Sequence, residues 1–391
     1  MLSVGQPRSG CAGNQSDPCI KEASMLSMKR VAGVAMLTMG LGLGLALTGC
    51  EKPAPAPVNK PVETPKADAP KTDAPKADAT KADAPKPAAS ASKKKFTFGV
   101  IAKSENNPVF QAAKTGAFDA AKELGAKHGV EIEINWRTPP TEDAQKQAQA
   151  IADLVNVGVD GIAVSVTDAN VLTSAINAAV EKGVQVVTFD SDAPASKRMA
   201  TYGMDDADAG RILAQQLVKA MGDKGVVAIL AGNQNATNLQ ARVRGVKEEL
   251  AKTKGITVKD TYYHVETADA AVQKIKQVQT ANPDVTGWAF VGGWPLYTTN
   301  ALAGVAEKGV TVVSIDTLEL PLAYVKSGEV KALVGQNYYG WGYESVSMLL
   351  DYAKDGKKPE QVAVRAKVDI VTKENAEEFG KVWDKWLGRK K

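Results

Sequence analysis

From Phe96 onward, short β-branched runs alternate with amphipathic stretches at close spacing, and this alternation constrains the fold more than any other feature of the chain. Apolar runs predict strands over 96–101, 130–136, 161–166, 184–189, 226–230, 257–262, 288–291, 310–315 and 330–334. Helices are predicted between them, among others over 109–128, 142–157, 169–182 and 207–221. Gly129, Gly158, Gly183 and Gly309 follow helical stretches, where a left-handed C-cap favours glycine. Strands that read apolar along their length and are separated by helices belong to buried parallel sheets. Nine of them are too many for one comfortable open sheet, so the expectation is an α/β protein of two lobes.

The region before Phe96 has a different character. Met28-Lys29-Arg30 precedes an apolar run from Val31 to Leu47, which ends in Leu47-Thr48-Gly49-Cys50. Two cations, a short apolar stretch and small residues before a cysteine describe a secretory signal. A membrane span needs about 20 apolar residues. A plain transmembrane anchor is the alternative. Leu47-Thr48-Gly49-Cys50 resembles the bacterial lipobox, which implies lipidation of Cys50. Residues 1–24 fit neither signal nor domain, and Met25 or Met28 is the expected initiator. Residues 51–92 hold nine of the chain's nineteen prolines and repeat a five-residue unit such as Lys66-Ala67-Asp68-Ala69-Pro70. Without large apolar residues such a segment is a solvated spacer. Residues 1–49 are therefore read as extension and signal, and 50–95 as lipidated cysteine and disordered tether.

Several chemistries drop out on composition. Only His128 and His264 are present, and Cys11, Cys19 and Cys50 all lie in the first 50 residues, so the rest of the chain has no disulfide, thiol nucleophile or cysteine-based metal site. A net charge of +4 gives no basis for nucleic-acid binding.

In open α/β sheets, ligands sit beyond the carboxyl ends of the strands. The polar residues there are Lys103-Ser104-Glu105-Asn106-Asn107, Thr167-Asp168, Asp190-Ser191-Asp192, Gly232-Asn233-Gln234-Asn235, Gly292-Gly293-Trp294, Asp316-Thr317 and Gln336-Asn337-Tyr338. Amides, carboxylates and aromatic rings converge, and no phosphate-binding glycine loop is among them. Such a set suits a neutral polyhydroxylated ligand.

Five segments carry a resemblance: Asn106-Asn107-Pro108-Val109-Phe110, Val186-Val187-Thr188-Phe189-Asp190, Ala241-Arg242-Val243-Arg244-Gly245, Val312-Val313-Ser314-Ile315-Asp316 and Gly335-Gln336. In order and spacing the chain resembles the type I periplasmic binding proteins of the ribose-binding kind, from about Phe96 to about Asp369. The resemblance implies two Rossmann-like lobes with parallel sheets joined by a three-segment hinge. The first lobe would hold 96–203 plus 337–368, and the second 204–336 plus 369–391. It implies ligand contacts from Asn107, Phe110, Asp190, Arg242, Asp316 and Gln336, to which Trp294 is added as a candidate. Three positions depart from the family pattern: Ser191, Gly293 and Ile315. The implied function is extracytoplasmic binding of a monosaccharide by hinge closure and delivery to an ABC transporter permease. The protein would be a monomer without cofactor, metal or nucleic acid, held at the membrane through its lipid in the periplasm or at the cell surface. A ligand-presenting sensor for a membrane receptor is the alternative.

Plainer roles exist for the same residues. Asp190 and Asp316 suit helix caps, and Phe110 suits the core. Arg242 and Arg244 cannot share a helix face, so one of them is expected to pair with a surface acid. His128 reads as a cation at a helix C-terminus and His264 as a surface residue. Alanine at Asp190 or Arg242 is expected to weaken binding and leave the stability of the unliganded protein nearly unchanged. A repressor would need a helix-turn-helix where the spacer lies, and a hydrolase using Asp190 and Asp316 has no neighbouring group in sequence to raise a carboxyl pKa.

Overall fold

The computed structural model describes residues 93–389; the signal, Cys50 and the spacer up to residue 92 lie outside them. Among the described residues, twelve strands are divided equally between two sheets. The first holds β1 (Lys95–Ile101), β2 (Glu131–Trp136), β3 (Gly161–Val164), β4 (Gln185–Phe189), β5 (Ala200–Gly203) and β11 (Ala363–Arg365). Its order is β11-β5-β4-β3-β1-β2, parallel throughout. The second holds β6 (Gly225–Ala231), β7 (Ile256–Tyr263), β8 (Gly287–Phe290), β9 (Thr311–Ile315), β10 (Ala332–Gly335) and β12 (Asp369–Val371). Its order, β12-β10-β9-β8-β6-β7, repeats the winding of the first, except that β12 runs antiparallel to β10. β3, β5, β8 and β10 are buried at every residue, and β4 at every residue after Gln185, which explains why their sequences carry no polar alternation.

Helices cover the sheets. α1 (Val109–His128), α2 (Ala144–Asn156), α3 (Ala169–Glu181) and α8 (Tyr338–Asp355) pack on the first; α4 (Asp206–Met221), α5 (Thr237–Leu250), α6 (Ala268–Ala281) and α7 (Glu319–Ser327) belong to the second. Short α9 (Ala376–Gly380) and α10 (Val382–Trp386) close the chain. Gly129 ends α1 in the left-handed conformation, φ 66°, and its N–H returns to the Gly125 carbonyl. Asp143 and Asp168 cap α2 and α3 through their carboxylates.

The chain passes between the sheets three times: from Gly203 to Asp206, from Gly335 to Tyr338, and from Arg365 to Asp369. These passages are bonded to one another. Ala366 N–H donates to the Gly203 carbonyl, Arg365 Nη1 to the Met204 carbonyl at 2.8 Å, and Asn337 Nδ2 to Tyr202 Oη at 3.1 Å. Three adjacent, hydrogen-bonded connections form a hinge about which whole lobes can rotate.

One close helix approach positions the site. A Cβ on Gly210 would lie 2.2 Å from the Arg242 carbonyl oxygen, and one on Gly245 would lie 2.0 Å from that of Ala207. Only glycine at both positions lets α4 and α5 come this near, and the contact sets Arg242 beside Asp206. Gly116 and Gly342 bring α1 and α8 together in the same way in the first lobe.

Candidate functional site

Asp190 and Asp316 end the equivalent strands β4 and β9, and both have positive φ, 59° and 82°. Left-handed backbone is costly for most side chains, and aspartate is among the few that tolerate it. Such a conformation re-aims the carboxylate out of the strand direction and is typical of functional positions. Neither residue caps a helix. A loop follows Asp190 up to β5, and α7 has Leu318 at its N-cap. The plainer helix-cap role is thus set aside: the backbone turns left-handed at each aspartate instead of entering a helix.

Asp190 sits where the lobes meet. Its Oδ2 accepts from Ser165 Oγ at 2.7 Å within the first lobe, and its Oδ1 accepts from Asn238 Nδ2 at 3.1 Å, reaching over from α5. Two cations flank it without bonding it: Lys103 Nζ at 4.0 Å and Arg242 Nη2 at 3.9 Å. Nearby, Thr237 Oγ1 donates to the Asp192 carbonyl at 2.7 Å, a second bond between the lobes.

Arg242 is 2% exposed. Its Nε donates to Asp206 Oδ1 at 2.9 Å, Nη1 to the Val291 carbonyl at 3.1 Å and Nη2 to Gln336 Oε1 at 3.1 Å. Burial pushes the Asp206 carboxyl up to about 6, against the pull of Arg242. Gln336 passes the network on, donating from Nε2 to Asp316 Oδ1 at 2.9 Å. Asp316 receives three more bonds: Tyr338 Oη at 3.0 Å on Oδ1, and Gly293 N–H at 2.8 Å and Tyr297 Oη at 2.7 Å on Oδ2. A carboxylate offers roughly four acceptor sites, so protein donors already occupy Asp316. Burial and the facing Asp316 charge hold the Tyr297 and Tyr338 phenols well above their ordinary range, which keeps both as donors.

The structure therefore joins Arg242, Gln336 and Asp316 in one network facing Asp190. Trp294 stands beside it on a 3-10 turn, its ring edge-on to His264 with centroids 5.4 Å apart. Its Nε1 and the His264 Nε2 are buried and have no hydrogen-bond partner among the described residues. His264 is therefore half-buried in a ring contact, not on the open surface. Asn107 and Phe110 make no hydrogen bond to the network. Asn107 Oδ1 accepts from the Val109 N–H at the start of α1. Phe110 is core, its ring 5.7 Å from that of Trp341. Arg244, the other arginine of its segment, is exposed and pairs with Glu248 at 3.8 Å.

The departures from the family pattern have local reasons. A Cβ at Gly293 would come within 2.8 Å of the Asp316 Cβ and 2.9 Å of the Tyr297 ring, so no side chain fits there. Ile315 is fully buried in the core of the second lobe. Ser191 is buried, and its Oγ has no partner among the described residues.

Five residues not singled out from sequence act on this network: Asn238 and Lys103 at Asp190, Asp206 at Arg242, and Glu142 and Glu266 on Lys103. Asn238 lies four residues before Arg242 on α5, and that spacing puts the two on one helix face. Glu142, just before α2, and Glu266, just after β7, come from different lobes, and burial followed by the Glu266 charge raises the Glu142 carboxyl to about 9.

Comparison with known proteins agrees with this architecture. Residues 98–358 match the model of the periplasmic binding protein domain family. The ribose import binding protein of Bacillus subtilis (strain 168) is 27% identical over 252 residues, covering 64% of this chain and 79% of that protein. A xylitol-binding protein of Mycolicibacterium smegmatis is 30% identical over 202 residues, covering 51% and 57%. Among solved structures, an ABC transporter solute binding protein from Burkholderia graminis in complex with D-arabinose superposes with a TM-score of 0.67 at 28% identity, over 72% of this chain and 96% of that one. With two parallel-sheet α/β lobes wound alike, the chain belongs to the periplasmic binding protein family, in its type I fold, and is an extracytoplasmic binding protein and not an enzyme.

Proposed function

We propose that this protein captures a neutral monosaccharide between its lobes and delivers it to an ABC transporter permease. The observation that carries the reading is the unspent hydrogen-bonding capacity facing the cleft. Asp190 accepts two bonds of the roughly four open to a carboxylate, and Arg242 gives three of its five N–H donors. A ligand hydroxyl can accept from one and donate to the other only when the lobes are together, so ligand binding stabilises closure. Gln336 and Asp316 hold Arg242 in place, Trp294 supplies an aromatic face with a free N–H, and Asn107 and Phe110 shape the end of α1 at the cleft. The ribose-, xylitol- and arabinose-binding relatives support a small polyol as ligand. Lipidation of Cys50 would tether the lobes to the membrane through the proline-rich spacer, in keeping with a receptor that hands its ligand to a permease.

Thermal denaturation of the full chain against D-ribose, D-arabinose, D-galactose and xylitol tests the reading, since binding to the folded state alone raises the midpoint. At least one of them should raise it, and Asp190→Asn, which keeps a residue tolerant of positive φ, should abolish the rise. No rise with any of the four would count against a sugar receptor.

A further inference from the structure

The match to the family model ends at residue 358, and the two short helices that close the described chain lie beyond it. α10 follows β12 of the second sheet, yet it packs against α1, a helix of the first lobe. It holds both sides of the hinge.

Toward the second lobe, Trp383 Nε1 donates to the Thr317 carbonyl at 2.6 Å. Just past the helix, the Arg389 guanidinium pairs with Glu319 of α7, Nη2 donating to Oε2 at 2.9 Å. Toward the first lobe, the Lys385 ammonium lies over the Tyr339 ring of α8, 5.2 Å from its centroid. Between the two grips stands Tyr338, where the middle passage of the hinge enters α8. The Trp386 ring meets it edge-on with centroids 5.7 Å apart, and Trp383 lies against it at 5.5 Å.

Trp383 and Trp386 are 2% and 8% exposed, although the helix that carries them has only five residues. So short a helix has no stability of its own, and its seat must hold it. That seat is made by both lobes. The lobes are together here, as the bond from Asn238 to Asp190 shows. Rotation about the passages moves α1 and Tyr339 relative to Thr317 and Glu319, so α10 cannot keep both grips when the lobes part. The burial and ring contacts of the two tryptophans are therefore complete only in the closed arrangement.

Resting on the closure reading above, we propose that the segment from Val382 to Arg389 is a hinge strap: seated on both lobes at once, it stabilises the closed state and raises sugar affinity without touching the sugar.

Hydrogen exchange of the full chain, free and saturated with whichever of D-ribose, D-arabinose, D-galactose and xylitol binds, reads the strap directly. The Leu387, Gly388 and Arg389 amides, bonded to the Trp383, Lys385 and Asp384 carbonyls, should exchange at least about tenfold more slowly in the bound state. Calorimetric titration supplies a second readout. Trp386→Ala, which removes the ring seated on Tyr338, should weaken the sugar by about tenfold, and Trp386→Phe should recover most of that loss. A helix that merely covers the core would lower the denaturation midpoint of Trp386→Ala and leave its affinity intact. Exchange at 387–389 unaffected by sugar, or unchanged affinity in Trp386→Ala, would overturn the proposal and leave the sugar receptor standing. Absence of binding by all four sugars would remove the receptor reading and the strap with it.

Discussion

Asn238 on α5 donates to Asp190 at the end of β4, Nδ2 to Oδ1 at 3.1 Å, so one oxygen of the carboxylate is engaged by the opposite lobe. This bond exists only when the lobes are together. Hydrogen bonds to charged groups contribute about 1.5–3 kcal/mol. Asn238→Ala should therefore weaken sugar binding by roughly ten- to hundredfold, with little change in the denaturation midpoint of the unliganded protein. Calorimetric titration and denaturation of the same variant separate the two effects. Unchanged affinity would mean that the contact does not contribute to closure.

Arg242 behaves differently. Its partners Asp206, Val291 and Gln336 all travel with the second lobe or its hinge passage, so the network persists when the lobes part. The expectation that its loss spares stability is therefore corrected. Arg242→Met leaves the Asp206 carboxylate buried without its partner, and breaking a buried pair costs about 3–5 kcal/mol. Denaturant titration should show that loss without any sugar present, alongside weakened binding. A stability within experimental error of the wild type would contradict the network.

The elements legible in the sequence are those whose pattern is local. The nine strands from β1 to β4 and β6 to β10 are apolar runs between helices, and α1 spans Val109–His128 as its periodicity and Gly129 predict. β11 and β12 are not legible because each is three residues long and exists through pairing with a distant strand, and β5 because its residues, Ala200-Thr201-Tyr202-Gly203, make no apolar run. The apolar run after β3 continues to Val166, yet the strand ends at Val164, where the backbone turns toward Ser191. Asp190, Arg242, Asp316 and Gln336 stand out as polar residues at strand ends or in a recognisable segment. Glu142 and Glu266 do not, because only the juxtaposition of two lobes makes them neighbours. Lys103 lies in a strand-end segment, but solvated and buried lysines read alike in a sequence.

The facing pair Glu142 and Glu266 makes closure sensitive to pH. Burial, then the opposed Glu266, raises the Glu142 carboxyl from 4.5 to about 9, with Lys103 acting against the shift and Asp190 adding to it. The protonated form is thus favoured in the closed state. Its contribution is complete below 4.5 and is lost as pH rises through about 9. Affinity for a neutral sugar should fall as pH rises from 4.5 to about 9, and Glu142→Gln should flatten the profile. An identical pH dependence in wild type and variant would contradict the pairing.

Anchoring can be checked apart from binding. Cys50→Ala should release the protein from the membrane fraction while its affinity for sugar stays unchanged. If the variant remains in the membrane with residues 28–47 uncleaved, the apolar run is a transmembrane anchor.

Capture by closure of two lobes is tested most directly by solution scattering of the full chain with and without excess sugar, using whichever of D-ribose, D-arabinose, D-galactose and xylitol raises the denaturation midpoint. Hinge rotation that brings Asp190 and Arg242 together around the ligand predicts a smaller radius of gyration in the bound state, and a smaller change or none in Asp190→Asn. A scattering profile identical with and without bound sugar would contradict capture by closure.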